Sequence, residues 1–311
     1  MRIQGKDEMI ESEFLIALRA LPLHEAAREL RDDTALLTTP GPLVLTTDTL
    51  VEGVHYLSTD PAEDVAWKLV TVNLSDLAAK GATPVGVLLN YPLAGDSAWD
   101  RAFLGGLNEA LLRFACPLIG GDTVSLPAGS PRFLTLTAIG NDAPAPPRSG
   151  ARDGDALWVA GAIGDAGAGL AIARDDAGSA SLLAAYRRPV PLLAEGRLLA
   201  PVVHAMMDVS DGLLLDASRM AAASGLGVTV ELAAIPLSVD YRAYAGADRA
   251  ARLSAATSGD DYALLFAMPA GTQPPVPAAL IGSFANGAGL VLRDGAETIP
   301  IPPRLGFEHR V

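Results

Sequence analysis

The chain has 311 residues, half of them hydrophobic but only 5% aromatic, and a formal net charge of −13. This length favours two domains, since single cores stop growing near ~250 to 300 residues. The negative charge excludes an extended nucleic-acid backbone as partner, and no uninterrupted apolar run approaches the ~18 residues of a membrane-spanning helix.

The opening residues carry charges at Arg2, Lys6, Asp7, Glu8, Glu11 and Glu13 with no long apolar region or cleavage signal, so a cytoplasmic protein is expected. The single cysteine, Cys116, rules out an intrachain disulfide and a thiolate-rich zinc site. Its neighbours Phe114, Ala115, Pro117, Leu118 and Ile119 mark it as a small buried hydrophobe. Lysine occurs only at Lys6, Lys68 and Lys80. A phosphate clamp in the second half must therefore use arginine, metal or backbone amides.

In chain order, Phe14, Leu15, Leu18 and Leu21 predict a helix over Glu11 to Ala20. Pro42 to Thr47 reads as a short extended run ending at Asp48. Asp60-Pro61-Ala62-Glu63 supplies a helix start, with Asp as N-cap and Pro at the first position. That helix is expected to run to about Lys80, with Gly81 as its stop. A buried strand over Pro84 to Leu93, a helix over Ser97 to Phe114 and a strand over Arg132 to Ile139 follow.

The stretch Asn141 to Gly154 holds Pro144, Pro146, Pro147, Gly150 and Gly154, the composition of a connection between domains. The expected division is 1–143 and 144–311. Beyond it the pattern predicts strands at Ala156 to Ala160, Gly227 to Leu232, Tyr262 to Ala267 and Leu290 to Arg293. Helices are predicted near Ala166 to Ala173, Leu182 to Tyr186, Pro191 to Leu199 and Gly212 to Ala223.

Carboxylates recur after short apolar runs, in Asp32-Asp33, Thr46-Thr47-Asp48, Asn73-Leu74-Ser75-Asp76, Gly120-Gly121-Asp122-Thr123, Asp208-Val209-Ser210-Asp211 and Gly259-Asp260-Asp261. Oxygen ligands of this kind suit hard divalent ions, and Mg²⁺ is usually held by a few carboxylates together with substrate phosphates. Metal-dependent phosphoryl transfer is the chemistry they suggest. Each motif also has a plainer reading. Asp48 and its threonines could satisfy turn amides. Asp76, costly to bury in an apolar helix, could pair with Lys80 one turn on.

Gly120-Gly121 could be a turn capped by Asp122, or a close backbone approach to an anionic ligand. Ser210 or Asp211 is a natural cap for the following helix, which explains one of the two acids there. The functional reading uses Asp208 and Asp211 on metal or phosphate, with Ser210 as donor. His55 is the histidine nearest a ligand cluster, and hard oxygen neighbours favour substrate over metal for it. Gly161 to Gly169 lacks the spacing of a dinucleotide turn and reads as tight packing. No P-loop is present.

Taken in order, Asp32-Asp33-Thr34-Ala35-Leu36-Leu37, Thr46-Thr47-Asp48-Thr49-Leu50-Val51-Glu52-Gly53-Val54-His55, Asn73-Leu74-Ser75-Asp76-Leu77-Ala78-Ala79, Leu118-Ile119-Gly120-Gly121-Asp122-Thr123, Asp208-Val209-Ser210-Asp211-Gly212-Leu213 and Gly259-Asp260-Asp261-Tyr262 resemble the thiamine-monophosphate kinase family. The likeness spans nearly the whole chain. This family shares a superfamily with aminoimidazole ribonucleotide synthetase, selenophosphate synthetase and a hydrogenase maturation factor.

The resemblance implies an α/β N-terminal domain with a mixed sheet and flanking helices, an α+β C-terminal domain, and a homodimer formed through N-terminal strands. It implies transfer from ATP to thiamine monophosphate, giving ADP and thiamine diphosphate, with several Mg²⁺ ions on the phosphates. The alternatives weighed are another ATP-dependent synthetase of the superfamily and a non-catalytic nucleotide-binding dimer. Carried over motif by motif, Asp33, Thr46, Thr47, Asp48, Asp76, Asp122, Asp208 and Asp211 would be metal ligands. Gly121, Asp122, Arg148 and Ser210 would contact ATP, and His55, Asp260 and Phe307 thiamine monophosphate. Three positions depart from the family pattern: Arg31 replaces a glycine, Lys80 a methionine and Ala263 an acid.

Overall fold

The computed structural model describes residues 9–32, 34–127, 129–175 and 177–309. They form two compact units. One contains the described residues through Leu77 together with Thr83–Asp142, and the other contains Ala78–Ala82 and the residues from Ala143 onward.

The first unit runs α1 (Glu11–Leu18), β1 (Val44–Val51), α2 (Ala62–Ala78), β2 (Thr83–Leu93), α3 (Ser97–Arg113), β3 (Leu118–Ser125) and β4 (Phe133–Asn141). Its sheet has the order β1-β4-β2-β3, with β2 and β3 parallel and the other pairs antiparallel. The sheet is therefore mixed, and β1 and β3 are its two edges. Along β4, Leu134, Leu136 and Ala138 are buried while Phe133, Thr135 and Thr137 are not. This period of two gives the sheet one buried face and one more open face.

Side chains of α1, β2 and α3 interlock on the buried side. The Phe14 ring stacks on Tyr91 at 4.3 Å, and Tyr91 lies 4.9 Å from Phe103. The α2 and α3 helices approach closely because position 106 is glycine; a Cβ there would lie 2.1 Å from the Glu63 carbonyl oxygen.

Two elements differ from the sequence expectation. Asp48 sits in the middle of β1, because its pairing with β4 continues unbroken from Val44 to Val51. Gly120-Gly121-Asp122 is strand rather than turn. Glycine is required there by proximity: a Cβ on Gly121 would lie 1.8 Å from the Leu89 carbonyl oxygen of β2.

The second unit contains β5 (Asp155–Ala160), α4 (Asp165–Asp175), α5 (Ala180–Arg187), α6 (Leu193–Leu199), β6 (Ala205–Asp208), α7 (Leu213–Ala223) and β7 (Leu226–Glu231). It continues with α8 (Val239–Ala245), α9 (Arg249–Ser258), β8 (Leu264–Pro269), β9 (Ala279–Asn286), β10 (Gly289–Asp294) and β11 (Glu297–Ile299). Its seven strands take the order β11-β10-β7-β9-β5-β8-β6. Only β7 and β10 pair in parallel.

The sequence pattern missed β6, β9, β11, α8 and α9. Ala205–Asp208 is only four residues long and entirely buried, so it shows no alternation. Among the described residues no helix is long and apolar enough to cross a membrane.

Candidate active site

In the first unit the fold brings β1 against α2. The Thr46 hydroxyl donates to the Asp76 carboxylate, and the Asp48 backbone N–H donates to Asn73 Oδ1 at 3.1 Å. Asn73 is itself fixed, donating through Nδ2 to the Leu69 carbonyl one helical turn back at 2.9 Å. Asn73 and Asp76 stand three residues apart on α2 and so share a side of it. Thr46 and Asp48 share a face of β1 for the corresponding reason, a period of two.

Burial and the neighbouring Asp76 charge push the Asp48 carboxyl up from 3.8 to about 6. Two acids placed so that one resists ionisation are an incomplete electrostatic arrangement, which a hard cation completes. The donors present, two carboxylates and a hydroxyl, have the chemistry Mg²⁺ prefers. Among the described residues no group of three or more His, Cys, Asp or Glu side chains could hold a metal ion by itself. An ion held by these donors would complete its coordination with water or a ligand's phosphate oxygens.

The structure does not bring the Thr47 side chain together with this pair. Its hydroxyl donates to the Leu136 carbonyl at 3.2 Å and accepts from Thr137 Oγ1 at 3.1 Å, on the sheet face opposite Asp48. Strand alternation is the cause.

Asp122 is also separate within one chain. The paired residues Asp48, Leu136, Leu89 and Gly121 make one row across the sheet. Asp122 is therefore at the far edge, three strand spacings or ~14 Å from β1. It lines a cavity of about 890 Å³ together with Gly121, Arg19, Arg31, Asp32 and Thr34. Arg31 also pairs with Glu29 at 3.3 Å. Asp33 lies outside the described residues.

His55 follows β1 in a turn whose Gly53 has φ +79°. Its Nδ1 accepts the Val51 N–H at 3.0 Å, which in the neutral ring puts the proton on Nε2. Lys68 Nζ donates to the His55 carbonyl at 3.2 Å.

In the second unit β6 ends at buried Asp208, and Val209-Ser210-Asp211-Gly212 leads into α7. Three separate segments are tied together here by backbone. The Ser210 carbonyl accepts Asp260 N–H at 2.7 Å, the Val209 carbonyl accepts Tyr262 N–H at 2.9 Å, and the Asp211 carbonyl accepts Phe307 N–H at 2.8 Å. Ser210, Asp211, Asp260 and Phe307 are thereby gathered. Glycine permits the approach: a Cβ on Gly306 would lie 2.2 Å from the Asp211 carbonyl oxygen, and one on Gly259 2.7 Å from that of Ser210.

Asp260 and Tyr262 both adopt left-handed backbone, φ +63° and +52°. Non-glycine residues in this region store strain of roughly 1 kcal/mol or more each, a cost common at ligand sites. The Tyr262 hydroxyl bonds Asp260 Oδ1 at 2.9 Å and so fixes the direction of that carboxylate. Arg148 is exposed on a loop whose Pro147 carbonyl accepts Met206 N–H of β6 at 3.3 Å. Lys80 Nζ braces the same stretch, donating to the Pro146 and Met206 carbonyls at 3.0 Å each. Ala263 is packed against Gly161, where a Cβ would lie 2.9 Å from its own Cβ.

The glycine-rich turn before α4 is closed from within. Both oxygens of half-buried Asp261 accept Gly164 N–H at 2.9 Å, so a carboxylate of the chain itself occupies the place of an external anion. Burial holds the Asp261 carboxyl well above its ordinary range. Cys116 is fully buried with its thiol pushed up to about 12, as a core residue rather than a nucleophile.

Sequence models of the AIR synthase related proteins match both units, the N-terminal domain over residues 31–141 and the C-terminal domain over 152–285. A thiamine-monophosphate kinase of Caulobacter vibrioides is 37% identical over 306 residues, covering 91% of this chain and 85% of that protein. The Escherichia coli K12 thiamine-monophosphate kinase is 38% identical over 252 residues, 76% of this chain and 75% of its own. This chain belongs to the thiamine-monophosphate kinase family. The crystal structure of the family member from Stenotrophomonas maltophilia matches with a TM-score of 0.77 at 34% identity, covering 89% of this chain and 94% of that one. A further family structure, AaThiL complexed with AMPPCP and TMP, matches with a TM-score of 0.75 at 29% identity, covering 85% and 86%.

The raised Asp48 carboxyl gives the metal-free protein a pH signature. Between about pH 4 and 6 the folded chain keeps a proton at Asp48 that the unfolded chain has released, so this group's stabilisation falls as pH rises through that window. With EDTA present, wild-type Tm should fall relative to Asp48→Asn from pH 4 to 7. Parallel Tm profiles for the two proteins would remove the like-charge strain.

Proposed function

We propose that this chain transfers the γ-phosphoryl group of ATP to thiamine monophosphate, giving thiamine diphosphate and ADP. Membership of the family carries the reading, together with the family structure complexed with AMPPCP and TMP that has the same fold. In this chain an acceptor phosphate oxygen bonds the γ phosphorus while the bond from that phosphorus to the ADP oxygen breaks. The acceptor is already anionic, so no strong general base is required. A loose phosphoryl-transfer transition state asks chiefly for alignment and charge neutralisation.

When bound, Mg²⁺ supplies that neutralisation on the transferring phosphates. Asp48, Asp76 and the Thr46 hydroxyl would hold it in the first unit, with Asn73 fixing the β1 backbone. We assign Asp208 and Asp211 as metal ligands of the second unit. Ser210 and Arg148 serve as ATP contacts, the arginine because lysine is absent from this half. His55, Asp260 and Phe307 contact thiamine monophosphate. The Val51 N–H fixes the His55 ring through Nδ1, and Tyr262 holds the Asp260 carboxylate in place. As a consumer of ATP the enzyme belongs in the cytoplasm.

The separation of Asp122 from Asp48 supports a homodimer whose N-terminal sheet edges meet. Strand β1 of one subunit beside β3 of the other would bring a second β3, with its Gly121 and Asp122, alongside the strand that carries Asp48. The more open sheet face, with exposed Leu45, Phe133 and Val124, is the kind of surface such an interface covers.

Purified protein with ATP, Mg²⁺ and thiamine monophosphate should form thiamine diphosphate and ADP one for one. ADP formation without thiamine diphosphate would reject the acceptor. Asp48→Asn and Asp122→Asn homodimers should each be nearly inactive, yet after subunit exchange the mixture should regain roughly a quarter of wild-type activity, because half the dimers then hold one intact site of two. No recovery in a mixture shown to contain heterodimers would contradict the shared site.

A further inference from the structure

Asp211 is already neutralised by a cation from its own chain. The Arg219 guanidinium donates through Nη1 to Asp211 Oδ2, and the same nitrogen donates to Asp216 Oδ1 at 3.2 Å. Asp216 is fully buried, and its second oxygen accepts the Asp211 backbone N–H at 3.1 Å. A single carboxylate thus fixes both the backbone of Asp211 and the arginine that grips its side chain. Neither Asp216 nor Arg219 has a part in the reaction as assigned above.

The Asp211 carbonyl is bound to Phe307 N–H, and Gly306 and Gly259 approach its backbone closely. Its side chain is half-buried, open to an ion from solvent. A divalent ion and Arg219 compete for the same carboxylate lone pairs. We infer that Arg219 is the resident cation of Asp211, displaced from it when a divalent ion binds there, and that Asp216 is the positioning residue that retains Arg219 during the exchange. This rests on Asp211 being a metal ligand. Before the exchange Arg219 offsets one of the two carboxylate charges, and after it Asp216 keeps the freed guanidinium from being left without an anion.

The test reads metal binding rather than turnover. Mn²⁺ is titrated into protein saturated with AMPPCP, and free Mn²⁺ is followed by electron paramagnetic resonance against a nucleotide blank. The relevant site is the component lost in Asp211→Asn. Arg219→Gln removes the competitor and should tighten that component about two- to fivefold, the worth of one half-exposed ion pair. Arg219→Lys keeps the charge and should stay near wild type.

Asp216→Asn can still accept the Asp211 N–H but no longer holds Arg219 by charge, so Arg219 should grip Asp211 harder and Mn²⁺ should bind more weakly. The double variant should return to the Arg219→Gln value. A merely structural role would weaken binding in both single variants. Unchanged or weaker binding in a folded Arg219→Gln protein overturns the inference. If that variant fails to fold, unchanged binding in Asp216→Asn overturns it. Retention of every Mn²⁺ site in Asp211→Asn would instead defeat the assignment of Asp211 as ligand, and the inference with it.

Discussion

Two carboxylates held near each other at the junction of β1 and α2 set the terms for the first unit. A carboxyl raised from 3.8 to about 6 holds its proton more tightly by on the order of 3 kcal/mol, a cost comparable to a fair fraction of a domain's net stability. The fold sustains that cost with ordinary means. Asn73 fixes the β1 backbone at Asp48, Thr46 satisfies Asp76, and the aromatic packing of Phe14, Tyr91 and Phe103 secures the sheet that carries β1. The proposed role of this site is to be completed by a cation that also meets phosphate oxygens, since among the described residues no third acid joins the pair.

The second unit solves a different problem. Its proposed ligands come from sequence positions as distant as Ser210, Asp260 and Phe307, and short loops alone could not align them. Backbone hydrogen bonds and glycines at 259 and 306 press the three segments together, so that the placement of each side chain depends on the other two. Left-handed backbone at Asp260 and Tyr262 is the conformational cost of that arrangement. Arg219 and Asp216 add a charge frame behind Asp211.

Much of this was legible in the sequence. The helical spacing of Asn73 and Asp76 within an apolar helix marked a place where a buried acid needed a reason, and Gly120-Gly121 beside Asp122 marked a close backbone approach. What was not legible was three-dimensional neighbourhood. Gly120-Gly121 looks like a turn locally and becomes strand only because β2 offers a parallel partner. The edge positions of β1 and β3, which separate Asp48 from Asp122, are a property of strand order that no local pattern encodes. Asp261 was indistinguishable from its neighbour Asp260, yet one accepts the amides at the start of α4 and the other is held by the Tyr262 hydroxyl. Asp216 and Arg219 lie at ordinary helical spacing and reveal a role only through contact with Asp211.

The claim on which the rest turns is that Asp48 and Asp76 share a divalent ion with the nucleotide phosphates. Anomalous diffraction from crystals grown with Mn²⁺ and AMPPCP measures this directly. A manganese peak within ligand distance of both carboxylates and a phosphate oxygen is the expected result. Well-ordered nucleotide with no manganese at either carboxylate would contradict it.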